Sequence, residues 1–465
     1  MFFIFRTLCL RCFVGFVLFC WKTPVVLQAK IKRPLRIFFP VPTNMNRSNQ
    51  SMSLLVVLLV SMMVRSDDCQ AENWPRFRGA NGSGLAPASD LPNTWTEANY
   101  RWVTPLSGSG HSSPVIWGER LFVTAADEKS GIRALICLGV GDGVEQWRAP
   151  ADFKSYKKHK NNSFASSTPA VDAEHVYQLW HSKQQTSLIA YSHEGQQVWR
   201  YELGPYGHGQ GGATSPVVVG ELVLVAHDHK AESFLVAVNR NSGKEVWKIP
   251  REGKRACYST PCYRTTKSGK QEIVFVHCYE GVIGVQAETG QVNWHIDPFG
   301  RESQRALASP VVADDLVIAG SGAVAGDRQI VAISVDDSQL PSKASESYRV
   351  IRQAPHVPSP IILGNRLFLW NDGGVATCCD LATGEKIWQK RVGGNYFSSP
   401  IAIGDRLMSI DTSGEVVVIA AKDEFEILGR NAMGESSRAS LAASNGVLFV
   451  RTETKVFAVT ALEEN

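Results

Sequence analysis

Short apolar runs recur along the chain, and turn-forming residues separate them. One phrase repeats: Ser or Thr, then Pro, four residues and an apolar run, as in SSPVIWGERLFV from Ser112 and SSPIAIGDRLMSI from Ser398. Short apolar runs joined by turns with Gly, Asp or Asn are typical of strands in antiparallel sheets. The pattern therefore predicts a succession of β-hairpins.

The Ser/Thr-Pro phrase has seven full copies and a weaker eighth copy, in which Leu441 replaces Pro. The full copies carry Pro114, Pro169, Pro216, Pro261, Pro310, Pro360 and Pro400. A second phrase follows most copies and consists of an apolar run, a turn with Gly and a short run ending in Trp. Copies five and seven lack the Trp and end near Ile351 and Leu428, and the eighth copy has no fourth run.

The two phrases together predict four strands per copy, and this repeat is the signature of a propeller blade. The predicted fold is all-β: an eight-bladed β-propeller of four-stranded antiparallel blades. We expect the strand around Trp102, upstream of the first copy, to complete the eighth blade, because closure removes a free sheet edge. A seven-bladed ring is the alternative if degenerate copies have merged.

Large aromatic rings at one place in successive blades fill the wedge between neighbouring sheets. We therefore interpret six Trp residues as structural, with no redox or cofactor role: Trp102, Trp147, Trp199, Trp247, Trp294 and Trp388.

Residues 1–71 are predicted to be a leader, and residues 72–465 a single propeller domain. Ser53–Val64 is an apolar run that is too short to span a bilayer and typical of a signal-peptide core. Cys69-Gln70-Ala71 supplies small residues for cleavage, so residues 45–71 read as a signal peptide and residues 1–44 as an over-extended start. The alternative is an uncleaved membrane anchor built from Met1–Trp21.

The net charge of +4 is unevenly distributed. Residues 1–71 carry nine Lys and Arg against two Asp, and the rest of the chain carries 39 basic against 42 acidic side chains. A nucleic-acid partner is not expected, because such partners need a basic face. We expect a monomer in the periplasm or outside the cell, with membrane contact only through an uncleaved leader.

Six cysteines lie beyond residue 71, and none of them has a zinc-type spacing. In an oxidising compartment, Cys257 and Cys262 could form a disulfide across a turn.

The phrases Ser-Pro, Gly-Asp-Arg-Leu and Thr-Gly-x-x-x-Trp resemble the repeat of the pyrroloquinoline-quinone (PQQ)-like propellers. Asn73–Gly79 and Leu91–Trp95 are similar to the start of exported members of that family. The resemblance covers about Asn73–Leu462 and implies the propeller fold. The family contains quinoprotein alcohol dehydrogenases and the propeller lipoprotein of the outer-membrane protein assembly complex, so the resemblance does not fix a function.

For a quinoprotein, the resemblance implies PQQ on the central axis against Ca²⁺ and a catalytic Asp, in several members beside a vicinal disulfide. The adjacent pair Cys378-Cys379 lies in a predicted third strand, where successive side chains point to opposite faces. The sequence shows no Asp and Ca²⁺ motif and no CxxCH haem motif. We therefore expect no catalytic residue and no cofactor; PQQ and Ca²⁺ belong only to the alternative.

The loops before each Ser/Thr-Pro and the loops between second and third strands lie on one face of a propeller, here called the loop face. Loops on a rigid scaffold commonly carry binding residues. The candidate ligand-binding residues on this rim are His111, His208, His227, His229, Arg255, His277, Arg305, His356, Tyr396 and Arg438.

Three interpretations of this rim stay open. The side chains could be solvated loop residues, or the arginines could form an anion or acidic-polymer pocket. His227 and His229, two residues apart in an extended segment, could instead hold a metal ion. The sequence thus favours an exported propeller that binds a protein or polymer through its loop face without catalysis. A PQQ-dependent oxidoreductase of the alcohol dehydrogenase type is the alternative.

Overall fold

The computed structural model describes residues 72–207, 209–300, 303–323 and 328–462, together with the antiparallel strands β1 (Val25–Leu27) and β2 (Ile37–Phe39). The chain divides into two compact units, Met1–Gln70 and Ala71–Asn465. The predicted signal peptide lies outside the described residues, as does most of the segment from 1 to 44. Within the described part of the chain, no helix is long and apolar enough to cross a bilayer.

The second unit begins with 3-10 helix Ala80–Gly82, strand β3 (Leu85–Ala86), 3-10 helix Glu97–Asn99 and strand β4 (Tyr100–Pro105). Blade 1 contains β5 (Val115–Trp117), β6 (Arg120–Asp127), β7 (Ile132–Gly139) and β8 (Glu145–Asp152). Blade 2 contains β9 (Ala170–Val171), β10 (His175–Trp180), β11 (Thr186–Ser192) and β12 (Gln197–Gly204). Blade 3 contains β13 (Val217–Val219), β14 (Leu222–His227), β15 (Ser233–Asn239) and β16 (Glu245–Arg251).

Blade 4 contains β17 (Cys262–Thr265), β18 (Gln271–His277), β19 (Gly281–Gln286) and β20 (Val292–Ile296). Blade 5 is preceded by the short strand β21 (Ser303–Arg305) and contains β22 (Val311–Ala313), β23 (Leu316–Ala323), β24 (Gln329–Asp336) and β25 (Lys343–Ile351). Blade 6 contains β26 (Ile361–Leu363), β27 (Arg366–Trp370), β28 (Val375–Asp380) and β29 (Lys386–Arg391).

Blade 7 contains β30 (Ile401–Ile403), β31 (Arg406–Ile410), β32 (Glu415–Ala420) and β33 (Ile427–Ala432), and β3 joins it in parallel with β30. Blade 8 contains β34 (Ala442–Ser444), β35 (Val447–Arg451) and β36 (Lys455–Val459), and β4 supplies its fourth strand. The register runs from Tyr100 opposite Val459 to Pro105 opposite Lys455. The predicted eight blades and their closure by an N-terminal strand are confirmed, and the seven-bladed alternative is wrong.

Each blade buries both faces of its second and third strands against its neighbours, while the fourth strand lies at the periphery. Five Trp indoles reach from a fourth strand to a backbone carbonyl in the next blade, at Nε1–O distances of 2.7–2.8 Å. The donors are Trp102, Trp147, Trp199, Trp247 and Trp388. Four of these rings also cover a glycine in the next blade, where an added Cβ would lie less than 3 Å from the ring; these glycines are Gly143, Gly195, Gly243 and Gly290.

The remaining junctions depart from this arrangement. Tyr348 takes the Trp position in blade 5, with its ring over Gly384 and its hydroxyl 2.7 Å from the Leu381 carbonyl oxygen. Trp294 donates within its own blade, to the Glu272 carboxylate at 2.6 Å. At the seventh position Gly429 leaves space that the backbone of Asn93 fills, since an added Cβ would lie 2.0 Å from the Asn93 carbonyl oxygen.

Candidate functional site

A ring of hydroxyl groups surrounds the central axis at the start of the first strands. In seven of the junctions, the backbone N–H of the residue before Pro, or before Leu441, donates to the hydroxyl of the equivalent residue in another blade at 2.8–3.1 Å. The ring residues are Ser113, Thr168, Ser215, Thr260, Ser309, Ser359, Ser399 and Ser440, and all are buried. The Ser/Thr-Pro phrase therefore ties the innermost strands of the blades to one another.

The segment of residues 72–86, here called the axial segment, crosses the propeller at the opposite end of these strands. It begins at blade 8, where the Glu72 N–H donates to Asn445 Oδ1 at 2.8 Å. Trp74 then pairs with Ile116 of blade 1. It ends at blade 7, where β3 lies beside β30. Since it contacts blades on opposite sides of the ring, the axial segment spans this end of the central channel.

Two arginines of the axial segment are buried in the channel. Arg76 Nη2 donates to the Pro261 carbonyl at 2.6 Å, and Arg78 Nη2 donates to the Pro360 carbonyl at 2.7 Å. Burial lowers the pKa of Arg76 to about 10 and that of Arg78 to about 9, and in Arg78 the nearby charge of Arg76 adds to the effect. No carboxylate among the described residues forms an ion pair with either guanidinium. Sequence reasoning missed both, because it used this segment only as a family resemblance.

The structure divides the predicted rim into two groups. Five candidates are partly exposed: His111, Arg255, Arg305, His356 and Arg438. Four candidates are buried: His227, His229, His277 and Tyr396. The tenth, His208, lies outside the described residues. Interpretation of the buried four as solvated loop side chains is therefore wrong, because the loops of neighbouring blades cover them.

Two of the predicted rim histidines, His227 and His229, meet His181 around one tyrosine at the junction of blades 2 and 3. Tyr206 lies edge-to-face with His181 at 5.0 Å between ring centroids and 5.1 Å from His229. His227 and His229 stack edge-to-face at 4.4 Å. Burial, together with the neighbouring imidazoles, lowers the pKa of His227 to about 2. The group is a set of neutral rings that packs two loops together, and no described third ligand joins His227 and His229 in a metal-binding cluster.

A polar pocket of about 180 Å³ opens on the loop face near blades 8, 1 and 2. Its lining includes Lys158, Lys160 and Arg438 together with Glu128 and Glu453. Lys158 pairs with Glu128 at 3.2 Å, and Arg438 Nε is buried without an acceptor among the described residues.

His111 also lines this pocket, and Arg451 is fully buried behind it. Burial lowers the pKa of His111 to about 3, and the charges of Arg451, Arg438 and Lys158 contribute in the same direction. Of the predicted arginine donors, only Arg438 lies at this pocket. Arg255 contacts the Tyr279 hydroxyl at 3.1 Å instead, at blade 4.

A second cavity of about 740 Å³ separates the outer parts of blades 1 and 2. The Arg133 guanidinium lies 4.6 Å from the Trp180 ring centroid at its wall and donates to the His181 carbonyl at 2.8 Å. The sequence offered no signal for this cavity, since its lining residues come from strand ends in two blades.

The disulfide predicted between Cys257 and Cys262 is not formed, and all six described cysteines are unbridged. Cys262 begins β17 beside Arg76, whereas Cys257 turns away and donates to Cys278 Sγ at 3.3 Å. His277 completes a cluster with these two thiols, and its potential ligand atoms all lie within 4.8 Å of one another. The sequence held one sign of this cluster: His277 and Cys278 are adjacent, and both belong to the same predicted blade as Cys257. The spacing rules for zinc motifs do not include this pattern.

Cys378 and Cys379 lie on opposite faces of β28, as the alternation of a strand requires. Cys378 packs with Trp388 and residues of blade 7, and Cys379 packs with residues of blade 5. The pair therefore offers no flat platform for a quinone.

These features define an eight-bladed propeller with a chain segment across one end of its channel and a pocket lined by cationic side chains on the loop face. A family model described as outer membrane protein assembly factor BamB matches residues 109–261 and 231–461, most of the chain. The chain therefore belongs to this family of PQQ-like propellers, and the resemblance drawn from the repeat is confirmed. No curated protein matches the sequence.

Solved structures share the fold at low identity. BamB from Moraxella catarrhalis superposes with a TM-score of 0.56 at 15% identity, covering 78% of this chain and 99% of that one. Quinohemoprotein alcohol dehydrogenase from Comamonas testosteroni superposes with a TM-score of 0.61 at 11% identity, covering 87% of this chain and 82% of that one. Such identities demonstrate a common fold and leave function to the residues of this chain.

Proposed function

We propose that this chain is an exported, non-catalytic propeller that binds an acidic segment of a protein or polymer on its loop face. The observation that carries the proposal is the pocket on the loop face, where Lys158, Lys160 and Arg438 converge. The axial segment supports it, because the chain's own residues cross the channel at the opposite end.

The pocket on the loop face favours an acidic group as the ligand. Lys158, Lys160 and Arg438 surround it, and Arg451 adds a buried positive charge behind His111. Arginine donors in fixed positions bind carboxylates and oxyanions more strongly than neutral acceptors. Glu128 and Glu453 also line the pocket, so part of its positive charge is already balanced.

The axial segment offers no ligands for PQQ with Ca²⁺. Arg76 and Arg78 donate to the Pro261 and Pro360 carbonyls, and neither forms an ion pair with a carboxylate among the described residues that could ligate Ca²⁺. Asp372, near the rim of blade 6, is engaged by Arg328 at 2.9 Å and by the His356 N–H at 2.8 Å. We therefore derive no redox step and propose a protein that works without a cofactor, as a monomer in the periplasm or outside the cell.

The test is the affinity of the full chain for poly-L-glutamate, measured by calorimetry at several salt concentrations. We expect saturable binding that weakens with salt, and a loss of at least tenfold in affinity in R438Q. The matched control is K267Q, an exposed lysine on the hairpin that follows β17, which should bind as the wild type does.

The same titration with PQQ and Ca²⁺, accompanied by a dye-linked alcohol oxidation assay, addresses the alternative. One-to-one PQQ binding with turnover would overturn the proposal. Equal binding of poly-L-glutamate by R438Q and wild type would leave the scaffold without its assigned pocket.

A further inference from the structure

Blade 4 buries two thiols and one imidazole in contact with one another. Cys257 precedes β17, whereas His277 ends β18 and Cys278 follows it in the turn. All three residues are at most 1% exposed. The Nε2 atom of His277 is buried beside the Cys257 thiol and makes no hydrogen bond of normal geometry within the described chain.

The spacing of these atoms suits a single metal ion. The two Sγ atoms are 3.3 Å apart, and no pair of ligand atoms in the cluster exceeds 4.8 Å. An ion at the centre of a triangle of ligand atoms about 4 Å apart lies about 2.3 Å from each, the usual metal–thiolate distance. The ion would sit among the ligands themselves, so the site needs no additional cavity.

The surroundings of the cluster are those of a closed site. Apolar side chains of blades 4 and 5 pack around the thiols, among them Val276, Val282 and Phe299. On the imidazole side, His277 Nδ1 accepts from the backbone N–H groups of Tyr279 and Glu280 at 3.3 and 3.2 Å, and it lies 4.0 Å from Glu280 Oε1. Metal binding at Nε2 requires the imidazole proton to lie on Nδ1 instead, where the Glu280 carboxylate is placed to accept a hydrogen bond from it, as in carboxylate–histidine–metal triads.

We propose that Cys257, His277 and Cys278 bind one thiophilic metal ion, independently of ligand binding on the loop face. Two thiolates and an imidazole select soft closed-shell ions, Cu⁺ and Zn²⁺. Structural zinc is almost always four-coordinate, and the described residues add no fourth ligand to this cluster. Cu⁺ is therefore the better match to three ligands. The ion joins the loop before β17 to the turn after β18.

The test is metal binding by the reduced full chain in the absence of oxygen. Cu⁺ is titrated against bicinchoninate, and Co²⁺ replaces Zn²⁺ as a spectroscopic probe. We expect one equivalent of Cu⁺ per wild-type chain and a loss of at least 100-fold in affinity in C257S and C278S. E280Q should weaken binding 10- to 100-fold, because Glu280 positions His277 without touching the ion.

C137S provides the matched control, since Cys137 is a fully buried thiol of blade 1 outside the cluster. It should bind Cu⁺ as the wild type does. X-ray absorption of the wild type is a readout that does not depend on how variants fold, and a shell of two sulfurs and one nitrogen supports the site with either metal. A shell of nitrogen and oxygen alone, wild-type affinity in C278S, or a Cys257–Cys278 disulfide that resists reductant would overturn the proposal.

Discussion

The junctions between blades 2 and 3 and between blades 4 and 5 join equivalent parts of the propeller by different means. In the first, Trp199 lies over Gly243 and donates to the Arg240 carbonyl at 2.8 Å. In the second, the turn between β24 and β25 has no glycine, and Arg264 of blade 4 donates to Asp337 in that turn at 2.6 Å. Trp294 binds Glu272 in its own blade instead.

The difference lies in what each junction buries. The first buries a large ring with a single polar atom, which one carbonyl satisfies, and its accompanying ion pair between Arg240 and Asp172 is partly exposed. The second buries charges: the side chains of Arg264 and Asp337 are 1–2% exposed, and that of Glu272 is fully buried. Removing one member of a buried charge network leaves a buried donor or acceptor of another member without its charged partner, whereas removing part of an apolar contact costs only the lost packing. The charged junction should therefore be the more sensitive to a single substitution.

The largest expected effect is at the charged junction. E272Q keeps the shape of the side chain but leaves Arg264 Nε without its charged partner, now at 2.8 Å. We expect a loss of about 3–5 kcal/mol in the free energy of unfolding, measured with urea. The control E415Q removes the half-exposed pair with Arg430 and should cost less than about 1 kcal/mol. Equal effects of the two variants would contradict the comparison.

The ring junction should respond most strongly where the ring touches glycine. G243A places a Cβ 2.6 Å from the Trp199 ring and also a side chain at φ +66°. We expect a loss of about 2–4 kcal/mol in the free energy of unfolding, from overpacking together with backbone strain. G118A has a similar φ of +55° and no atom near the new Cβ, so it should cost about 1–2 kcal/mol. If G243A and G118A lose the same free energy of unfolding, contact with the Trp199 ring adds nothing to the cost of the new Cβ.

Acid should weaken the loop-face side of the junction between blades 2 and 3. The folded pKa of His227 is about 2, against about 6.5 in the unfolded chain, so the unfolded state takes up the proton first. Neutral His227 therefore makes its full contribution to the free energy of unfolding above pH 6.5, and this contribution is lost as the pH falls below that value. His181, His229 and Lys248 oppose its charge.

Between pH 7.5 and 5, the free energy of unfolding of the wild type should fall by about 2 kcal/mol more than that of H227Q. Urea denaturation at each pH gives the measurement. H159Q, at an exposed loop position, should follow the wild type, and parallel curves for H227Q and wild type would refute the expectation.

The smallest effect tests the substitute ring of blade 5. Y348F keeps the contact over Gly384 and removes only the hydrogen bond to the Leu381 carbonyl. We expect a loss of about 1 kcal/mol in the free energy of unfolding, measured by thermal or urea unfolding. A loss of several kcal/mol would mean that the phenol does more than replace an indole N–H.

The repeat allowed the fold to be predicted because the residues that form blades recur in every copy. The Ser or Thr before Pro bonds to the next first strand, and the Gly before the fourth strand makes room for a ring of the neighbouring blade. Because most copies repeat these residues, the same blade could be predicted along the whole chain. The copy without Trp in blade 5 was also placed correctly as a blade, although Tyr348 was not recognised as its ring. The strand register, with a bulge after Ala332, is what places that tyrosine at the Trp position.

The candidate site was predicted less well, because it depends on contacts between residues far apart in sequence. Loop position correctly brought His111 and Arg438 to one face, but burial of His227 and Tyr396 follows from neighbouring loops that no repeat describes. The sequence left open whether Cys257 pairs with Cys262, and both are unbridged because Cys257 points toward another blade 4 residue. Cys278, 21 residues from Cys257, is the true neighbour.

The pairing of β4 with β36 sets the order of events as the chain is made. Strand β4 ends at Pro105, and its partner begins at Lys455. At the usual 5–20 residues per second of synthesis, β4 waits roughly 20–70 seconds for the strand that completes its sheet. During that interval the edge of β4 is open to the wrong partner, such as the same strand of another nascent chain. The edge of β4 therefore stays unpaired for longer than the edges of strands whose partners follow within the same hairpin.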